Sequence, residues 1–325
     1  MTYPRAHLVD PDTPGFYHLI SRCVRRAWLC GEDPLTGRSY DHRRGWIEQR
    51  MLFLARRFAI DIHGYAIMNN HYHLVVRVDP KAPDAWSELE VAERWTSLTP
   101  PRPPDSEQQM QRKLEQLLES PDRIVECRRR LGDVSWFMRF LNERIAREAN
   151  AEDECKGRFW EGRFKSYALL DEHALYACMT YVDLNPFRAG IAERLEDARY
   201  TSARRRIAEA NVRESEDASP WGRPLAPVAS GLGNRGTVLG LALSDYVSLV
   251  EWTAMKPAAD VGRPGIVEKL RIDGNGWLLD VRQHRRRDRR AFGSAASLDG
   301  YVARLGQKRL RRGIQTAHTS WPVAA

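Results

Sequence analysis

The spacing of hydrophobic positions changes period within the first eighty residues. Residues 16–24 alternate between apolar and polar side chains, which predicts a strand, whereas apolar residues recur at helical spacing over residues 40–58. Two further strands are predicted over residues 59–68 and 71–78, separated by an asparagine pair typical of a turn. This β-α-β-β order predicts an α+β fold with an antiparallel sheet, built on the ferredoxin-like βαββαβ unit.

A helical insertion is predicted after the third strand, over about residues 82–150. It comprises helices over residues 85–96, 107–118, 121–131 and 134–149, with a Pro-rich break before the second of them. Asp171 then has the sequence context of an N-cap, and the helix that it begins runs to about Leu184, before an Asn-Pro pair.

The composition changes beyond residue 206. Residues 213–236 are polar and rich in Pro, Gly and Ser, which predicts a linker between a catalytic domain over residues 1–212 and a second domain over residues 237–325. The second domain is predicted to be small and all-α. Its expected helices span residues 238–252, 266–270, 276–292 and 298–312.

Positive charge is concentrated in that C-terminal domain. The 325-residue chain carries a formal charge of +8, and residues 281–312 contain ten arginines and one lysine against two aspartates, a net charge of +9. Clustered arginines neutralise phosphates, so we expect a nucleic-acid partner in preference to a merely solvated basic surface. The predicted DNA contacts here are Arg285, Arg286, Arg287, Arg289 and Arg290.

The sequence also disfavours several classes of protein. No apolar run reaches the length of a membrane span, and the first residues lack the apolar core of a signal peptide, so a cytoplasmic protein without a membrane partner is expected. The five cysteines include no C-x-x-C spacing. They therefore predict neither a disulfide framework nor a cysteine zinc site.

His71 and His73 are the first candidates for chemistry. Alternation along a strand places both imidazoles on one face of the sheet and Tyr72 on the other. Two neutral imidazoles at this spacing can give a divalent cation two cis ligands, although most such pairs are plain structure. The remaining ligands must come from elsewhere in the chain.

Tyr181 is the second candidate. It lies off the apolar stripe of its predicted helix and shares a face with small residues and with Asn185, one turn further on. A tyrosine hydroxyl and an amide oxygen can therefore point to the same place. The alternative is an amphipathic helix whose tyrosine merely edges the core.

A basic and aromatic segment precedes that helix, over residues 157–165. Arginines contact phosphates and aromatic rings stack on unpaired bases, so the predicted DNA contacts in this segment are Arg158, Trp160, Arg163 and Lys165. The alternative is that its aromatic residues belong to the core.

Taken together, these motifs resemble the single-tyrosine transposases of the HUH nuclease superfamily (insertion-sequence-200-like), and most closely the REP-associated tyrosine transposases. The resemblance covers about residues 14–206 and depends on residues 68–75 (MNNHYHLV), 157–164 (GRFWEGRF) and 181–190 (YVDLNPFRAG). This chain differs in a longer stretch between His73 and Tyr181 and in the additional C-terminal unit.

The resemblance implies a function and a set of site residues. It implies that His71, His73 and Asn185 bind Mg²⁺ or Mn²⁺, and that Tyr181 is the nucleophile of a single-stranded DNA endonuclease and strand transferase. The implied substrate is DNA beside repeated palindromic hairpins, and the chain is expected to act as a monomer or a homodimer. The alternatives are another HUH nickase, such as a replication initiator or relaxase, and a domesticated hairpin-binding protein that no longer cuts.

Four other polar residues have weaker claims. His18 and His63 lie on strands next to the histidine pair, where core or supporting positions are expected. Glu172 and Asp183 are alternative oxygen ligands to Asn185, although Asp183 points away from the Tyr181 face.

Overall fold

The structure, a computed structural model, describes residues 9–10, 12–24, 29–33, 36–100, 106–211, 225–228, 241–255, 265–285 and 290–305. Within these residues there is one five-stranded sheet. Its strands are β1 (Gly15–Arg22), β2 (Ile60–Ile67), β3 (His71–Val78), β4 (Lys165–Leu169) and β5 (Ala291–Phe292).

Helices account for most of the other described residues. They are α1 (His42–Ala55), α2 (Glu88–Thr96), α3 (Ser106–Leu118), α4 (Pro121–Leu131), α5 (Val134–Glu152), α6 (Glu172–Asp183), α7 (Asn185–Arg188), α8 (Ser202–Asn211), α9 (Leu243–Met255), α10 (Ile266–Lys269), α11 (Gly274–Gln283) and α12 (Ala295–Arg304), with short 3₁₀ turns at Ala82–Ala85 and Leu195–Asp197. Across the described part of the chain, none of them is long and apolar enough to cross a membrane.

The strand order confirms the predicted α+β fold. The strands lie side by side in the order β2-β3-β1-β4-β5, and all neighbours are antiparallel except β4 and β5. The first four strands therefore have the order and directions of a ferredoxin-like unit, with β3 and β1 in the centre. The predicted helical insertion forms α2 to α5 between β3 and β4.

The two faces of the sheet carry different helices, because side chains alternate along each strand. Tyr72, Leu74 and Val76 join the core that includes α1 and α5. Val75 joins the other core, which includes buried residues of α6, α9 and α11. We call this second surface the histidine face, because His71 and His73 alternate with Tyr72 and share it with Val75.

The C-terminal segment differs from the predicted all-α domain. The helix predicted over residues 276–292 ends at Gln283, and Ala291–Phe292 add a fifth strand to the sheet. The reason is that β4 would otherwise be an edge: the backbone N–H groups of Ala168 and Leu170 donate to the carbonyls of Arg290 and Phe292, both at 2.9 Å. The predicted domain boundary stays a prediction, since residues 212–224 and 229–240 are outside the described ranges.

The end of α6 is anchored by the carboxylate of Asp183, which is fully buried. It accepts hydrogen bonds from Ser202 Oγ at 2.7 Å and the Ala203 backbone N–H at 3.1 Å on α8, and from the Tyr246 hydroxyl at 2.5 Å on α9. A buried charge needs this number of donors. The network therefore fixes the helix that carries Tyr181.

Removal of one of these donors should destabilise the protein. We expect Tyr246→Phe to lower the free energy of unfolding by about 1 to 3 kcal/mol, because the buried carboxylate of Asp183 loses a partner without gaining water. Chemical denaturation measures the difference. The matched control is Tyr40→Phe, which retains the ring beneath the Arg43 guanidinium, 4.2 Å away, and should change stability little. Equal stabilities of the two variants would contradict this account of α6.

Candidate active site

The histidine pair of β3 forms one end of the site. His71 and His73 project from the histidine face, and their Nε2 atoms lie 3.0 Å apart. His73 is almost fully buried, whereas His71 is half-buried at the start of the strand. The structure thus brings the two imidazoles together, as strand alternation predicts.

The other ring nitrogen of each histidine has its own partner. His71 Nδ1 is hydrogen-bonded to Asn70 Oδ1 at 2.6 Å, and His73 Nδ1 to His18 Nε2 at 2.8 Å. Burial holds the pKa of His73 well below its usual value and lowers that of His18 to about 3. Both rings are therefore neutral, and the hydrogen bonds fix which nitrogen faces which partner.

The spacing of the two Nε2 atoms suits a common metal ion. Imidazole nitrogens bind divalent metals at about 2.0 to 2.1 Å, so two ligands at a right angle are separated by about 3.0 Å. The Nε2 atoms of His71 and His73 are 3.0 Å apart. A neutral N–H···N hydrogen bond has a similar length, so the pair accommodates a proton or a cation without rearrangement.

Tyr181 packs edge-on against His73, the buried member of this pair. Its ring centroid is 5.7 Å from that of His73, with the planes at 88°, and 6.0 Å from that of His18. Burial raises the pKa of the Tyr181 phenol, and the positive charges of Arg188 and Arg285 oppose that rise. A residue more than a hundred positions along the chain from His73 is thus packed against it.

Asn185 accompanies Tyr181 as the sequence predicts. It begins α7, and its Nδ2 donates to the carbonyl oxygen of Tyr181 at 2.9 Å. The same nitrogen lies 3.4 Å from the Val182 carbonyl oxygen, and a hydrogen bond from the Asn185 side chain lowers the pKa of the Tyr181 phenol. The Asn185 amide therefore lies beside the phenol.

Positive charge surrounds the phenol. The Arg188 guanidinium carbon is 5.2 Å from the Tyr181 ring centroid, and Arg285 is close enough to affect the pKa of the phenol. On the histidine face, Arg22 is paired with His71 across β1 and β3, and the exposed Lys165 is paired with Ile20. Two cationic side chains thus lie near Tyr181, and two more share the face of the sheet that carries the histidines.

The segment before β4 is placed differently from Lys165. The Trp160 ring packs edge-on against Tyr72, on the opposite side of the sheet from the histidines, and its Nε1 donates to the Asn142 carbonyl at 2.8 Å. The Arg158 guanidinium donates to the Trp160 and Glu161 carbonyls of its own loop. Arg163 is exposed in this loop. The structure therefore brings Lys165 toward the site and leaves Arg158 and Trp160 away from it.

The remaining candidates divide between the C-terminal segment and α6. Arg286, Arg287 and Arg289 lie outside the described residues, whereas Arg290 supplies the backbone carbonyl that pairs with β4. Glu172 and Asp183 lie at opposite ends of α6, and the Asp183 carboxylate is hydrogen-bonded to Ser202 on α8 and Tyr246 on α9. His63 is buried against Phe16, with ring centroids 5.0 Å apart.

Some residues of the site are absent from the sequence-based predictions. Arg188 carries only the weak signal of lying one helical turn beyond Asn185. Cys178 and His284 are buried, and each contributes a donor atom within 4.8 Å of one from His18. His18 itself was a weaker candidate in the sequence analysis, since it alternates along β1 beside the histidine strand, whereas Cys178 and His284 carry no such signal.

Comparison with known proteins gives one similarity. No family model and no curated protein matches the sequence. Among solved structures, the chain is similar to a REP-associated tyrosine transposase bound to a REP hairpin. The two chains are 13% identical, the match covers 73% of this chain and 99% of that chain, and the TM-score is 0.38.

Proposed function

We propose that this protein is a metal-dependent enzyme of the single-tyrosine HUH transposase type, which cleaves and rejoins single-stranded DNA through Tyr181. The observation that carries the proposal is the packing of the Tyr181 ring 5.7 Å from that of His73, whose Nε2 lies 3.0 Å from that of His71. A nucleophile and a pair of cation ligands thus share one small site on the sheet.

The proposed ligands of the cation are His71, His73 and Asn185. Two imidazole nitrogens and one amide oxygen fit Mg²⁺ or Mn²⁺, which keep water and phosphate oxygens as further ligands. When bound, the cation supplies positive charge to a non-bridging phosphate oxygen and offsets the charge that develops as the phosphate is attacked. His18 positions His73 through their hydrogen bond of 2.8 Å.

Tyr181 performs the covalent step. Its phenol oxygen loses its proton and forms a bond to phosphorus, the bond from phosphorus to the 3′ oxygen breaks, and that oxygen takes up a proton. The products are a 5′-phosphotyrosine and a free 3′-hydroxyl. Because the phosphodiester bond energy is retained, a second 3′-hydroxyl reverses the step and rejoins the strands without ATP. Asn185 orients the phenol, and Arg188 and Arg285 favour its deprotonated form.

The basic residues near the phenol and the histidines support the substrate class that we propose. Arg188 on α7, Arg22 on β1, Lys165 on β4 and Arg285 just after α11 can contact the phosphates on either side of the scissile bond. Tyr181 is only 8% exposed, so its attack requires a flexible strand that can reach it, which favours unpaired DNA over a duplex. We therefore propose a single strand beside a DNA hairpin as the substrate.

The direct test is a covalent product that depends on metal. The protein is incubated with Mn²⁺ and a hairpin that has a single-stranded flank and a label at its 5′ or its 3′ end. A denaturation-resistant band should form with the 3′-labelled DNA only, because Tyr181 stays bonded to the 5′ phosphate of the downstream fragment, which carries the 3′ end. EDTA should reduce this band to background, since the cation offsets charge in the transition state.

The control is the same sequence as a fully paired duplex, which should give little adduct. The flank is also randomised as a library of sequences. If the protein binds the hairpins but forms no adduct with any flank, strand cleavage is contradicted and the alternative of a hairpin-binding protein that does not cut remains.

A further inference from the structure

A second group of metal-ligating side chains lies behind the histidine pair. His18 on β1, Cys178 on α6 and His284 at the end of α11 each place one donor atom within 4.8 Å of the others. All three side chains are buried. Within the described ranges this is the group of three or more His, Cys, Asp or Glu side chains that has the spacing of a metal site.

The donor set indicates a thiophilic cation. Two imidazoles and one thiolate are ligands of Zn²⁺, whereas Mg²⁺ and Mn²⁺ prefer oxygen donors. Ligands of a tetrahedral zinc ion are separated by about 3.3 to 3.8 Å, so a contraction of about 1 Å brings these three donor atoms to the spacing of three of its four ligands.

The hydrogen bonds of the histidines decide whether His18 can be a ligand. Asn70 Oδ1 can only accept, so the proton of His71 is on Nδ1 and its Nε2 accepts from His73 Nε2. A neutral His73 then accepts at Nδ1 from His18 Nε2. His18 Nδ1 is left with a lone pair, and this buried atom has no hydrogen-bond partner among the described residues.

We propose that His18, Cys178 and His284 form a binding site for a thiophilic cation, with Zn²⁺ as the expected occupant. Such an ion bonds to three elements that are far apart in the chain, and it fixes the end of α11 against β1 and α6. It would displace the thiol proton of Cys178, because only the thiolate is a strong ligand.

The positions of the protons on the histidine rings link this site to the proposed function. A cation between His71 and His73 needs a lone pair on His73 Nε2, which moves the proton of His73 to Nδ1 and that of His18 from Nε2 to Nδ1. Since His18 Nδ1 is then protonated, it is no longer a zinc ligand. The two sites therefore compete, and this link depends on the proposed function whereas the zinc site itself does not.

Metal analysis of the purified full-length protein tests the site. We expect about one zinc per chain after loading and desalting, and loss of most of it in Cys178→Ser and in His284→Gln. Cys127→Ser, which changes a buried cysteine of α4, and His71→Ala should retain it. Zinc retained by Cys178→Ser and His284→Gln, or lost from His71→Ala, would overturn the proposal.

A spectroscopic measurement tests the site without relying on DNA cleavage, in variants that are first shown to be folded. Co²⁺ in place of zinc should give a thiolate charge-transfer band in the near ultraviolet in the wild type and in Cys127→Ser, and no such band in a folded Cys178→Ser variant. A band that survives in Cys178→Ser contradicts the site.

Competition between the two sites is tested by Mn²⁺ binding, for which electron paramagnetic resonance measures the Mn²⁺ that stays free in solution. Cys178→Ser should bind Mn²⁺ at least about 5-fold more tightly than the zinc-loaded wild type. Equal affinities would refute the competition.

Discussion

Tyr181→Phe is expected to abolish the covalent protein–DNA product and to reduce strand cleavage by about 10⁴-fold or more, because the variant lacks the attacking oxygen. The phenylalanine ring can still pack against His73 and beneath the Arg188 guanidinium. Binding of the hairpin should therefore be almost unchanged. Denaturing gel electrophoresis measures the adduct, and fluorescence anisotropy measures the binding.

The matched control for this variant is Tyr176→Phe. Tyr176 lies on the same helix, is fully buried, and donates its hydroxyl hydrogen bond to the Val228 carbonyl at 3.0 Å. This change should cost stability without removing the adduct. The assignment of Tyr181 as the nucleophile would be wrong if the Tyr181→Phe variant were active. It would also be wrong if a folded Tyr176→Phe variant lost the adduct.

His71→Ala is expected to have the second largest effect. Removal of one of two adjacent imidazoles should raise the Mn²⁺ concentration for half-maximal cleavage by about 100-fold or more. His71 is half-buried at the start of β3, so the fold should tolerate the smaller side chain. The measurement is the cleavage rate over a Mn²⁺ titration, with the melting temperature as a check on folding.

His42→Ala provides the comparison for His71→Ala. His42 is exposed on α1, its Nε2 lies 2.9 Å from Glu152 Oε1, and α1 packs on the other side of the sheet from the histidine face. Its removal should leave the metal dependence unchanged. The same Mn²⁺ requirement in both variants would mean that His71 is not a ligand.

Local patterns were sufficient to predict most of the strands and helices up to α6. Alternation predicted β1, β2 and β3, and the predicted N-cap Asp171 accepts a hydrogen bond from the Ala174 backbone N–H at 2.9 Å. These signals depend on the residue and its near neighbours, so they are present in the sequence. The strand order confirmed the α+β class that they predicted.

Local patterns could not predict the strand β5. Two residues, Ala291 and Phe292, carry no period that distinguishes a strand from a helix, and they become a strand because β4 offers unpaired backbone groups. The all-α prediction for the C-terminal segment was wrong at this point for that reason. Pairing with a distant edge is a property of the assembled sheet.

For the site, the sequence by itself determined the chemical types and the strand face: two imidazoles at alternating positions, and a tyrosine with an asparagine one helical turn later. Only the tertiary structure decided what lies next to what. It brought Tyr181 over His73, placed His18 behind His73, turned Trp160 to the opposite face, and added Cys178 and His284. The physical reason is that local backbone geometry sets which side of an element a residue occupies, whereas contacts between elements depend on how the whole core packs.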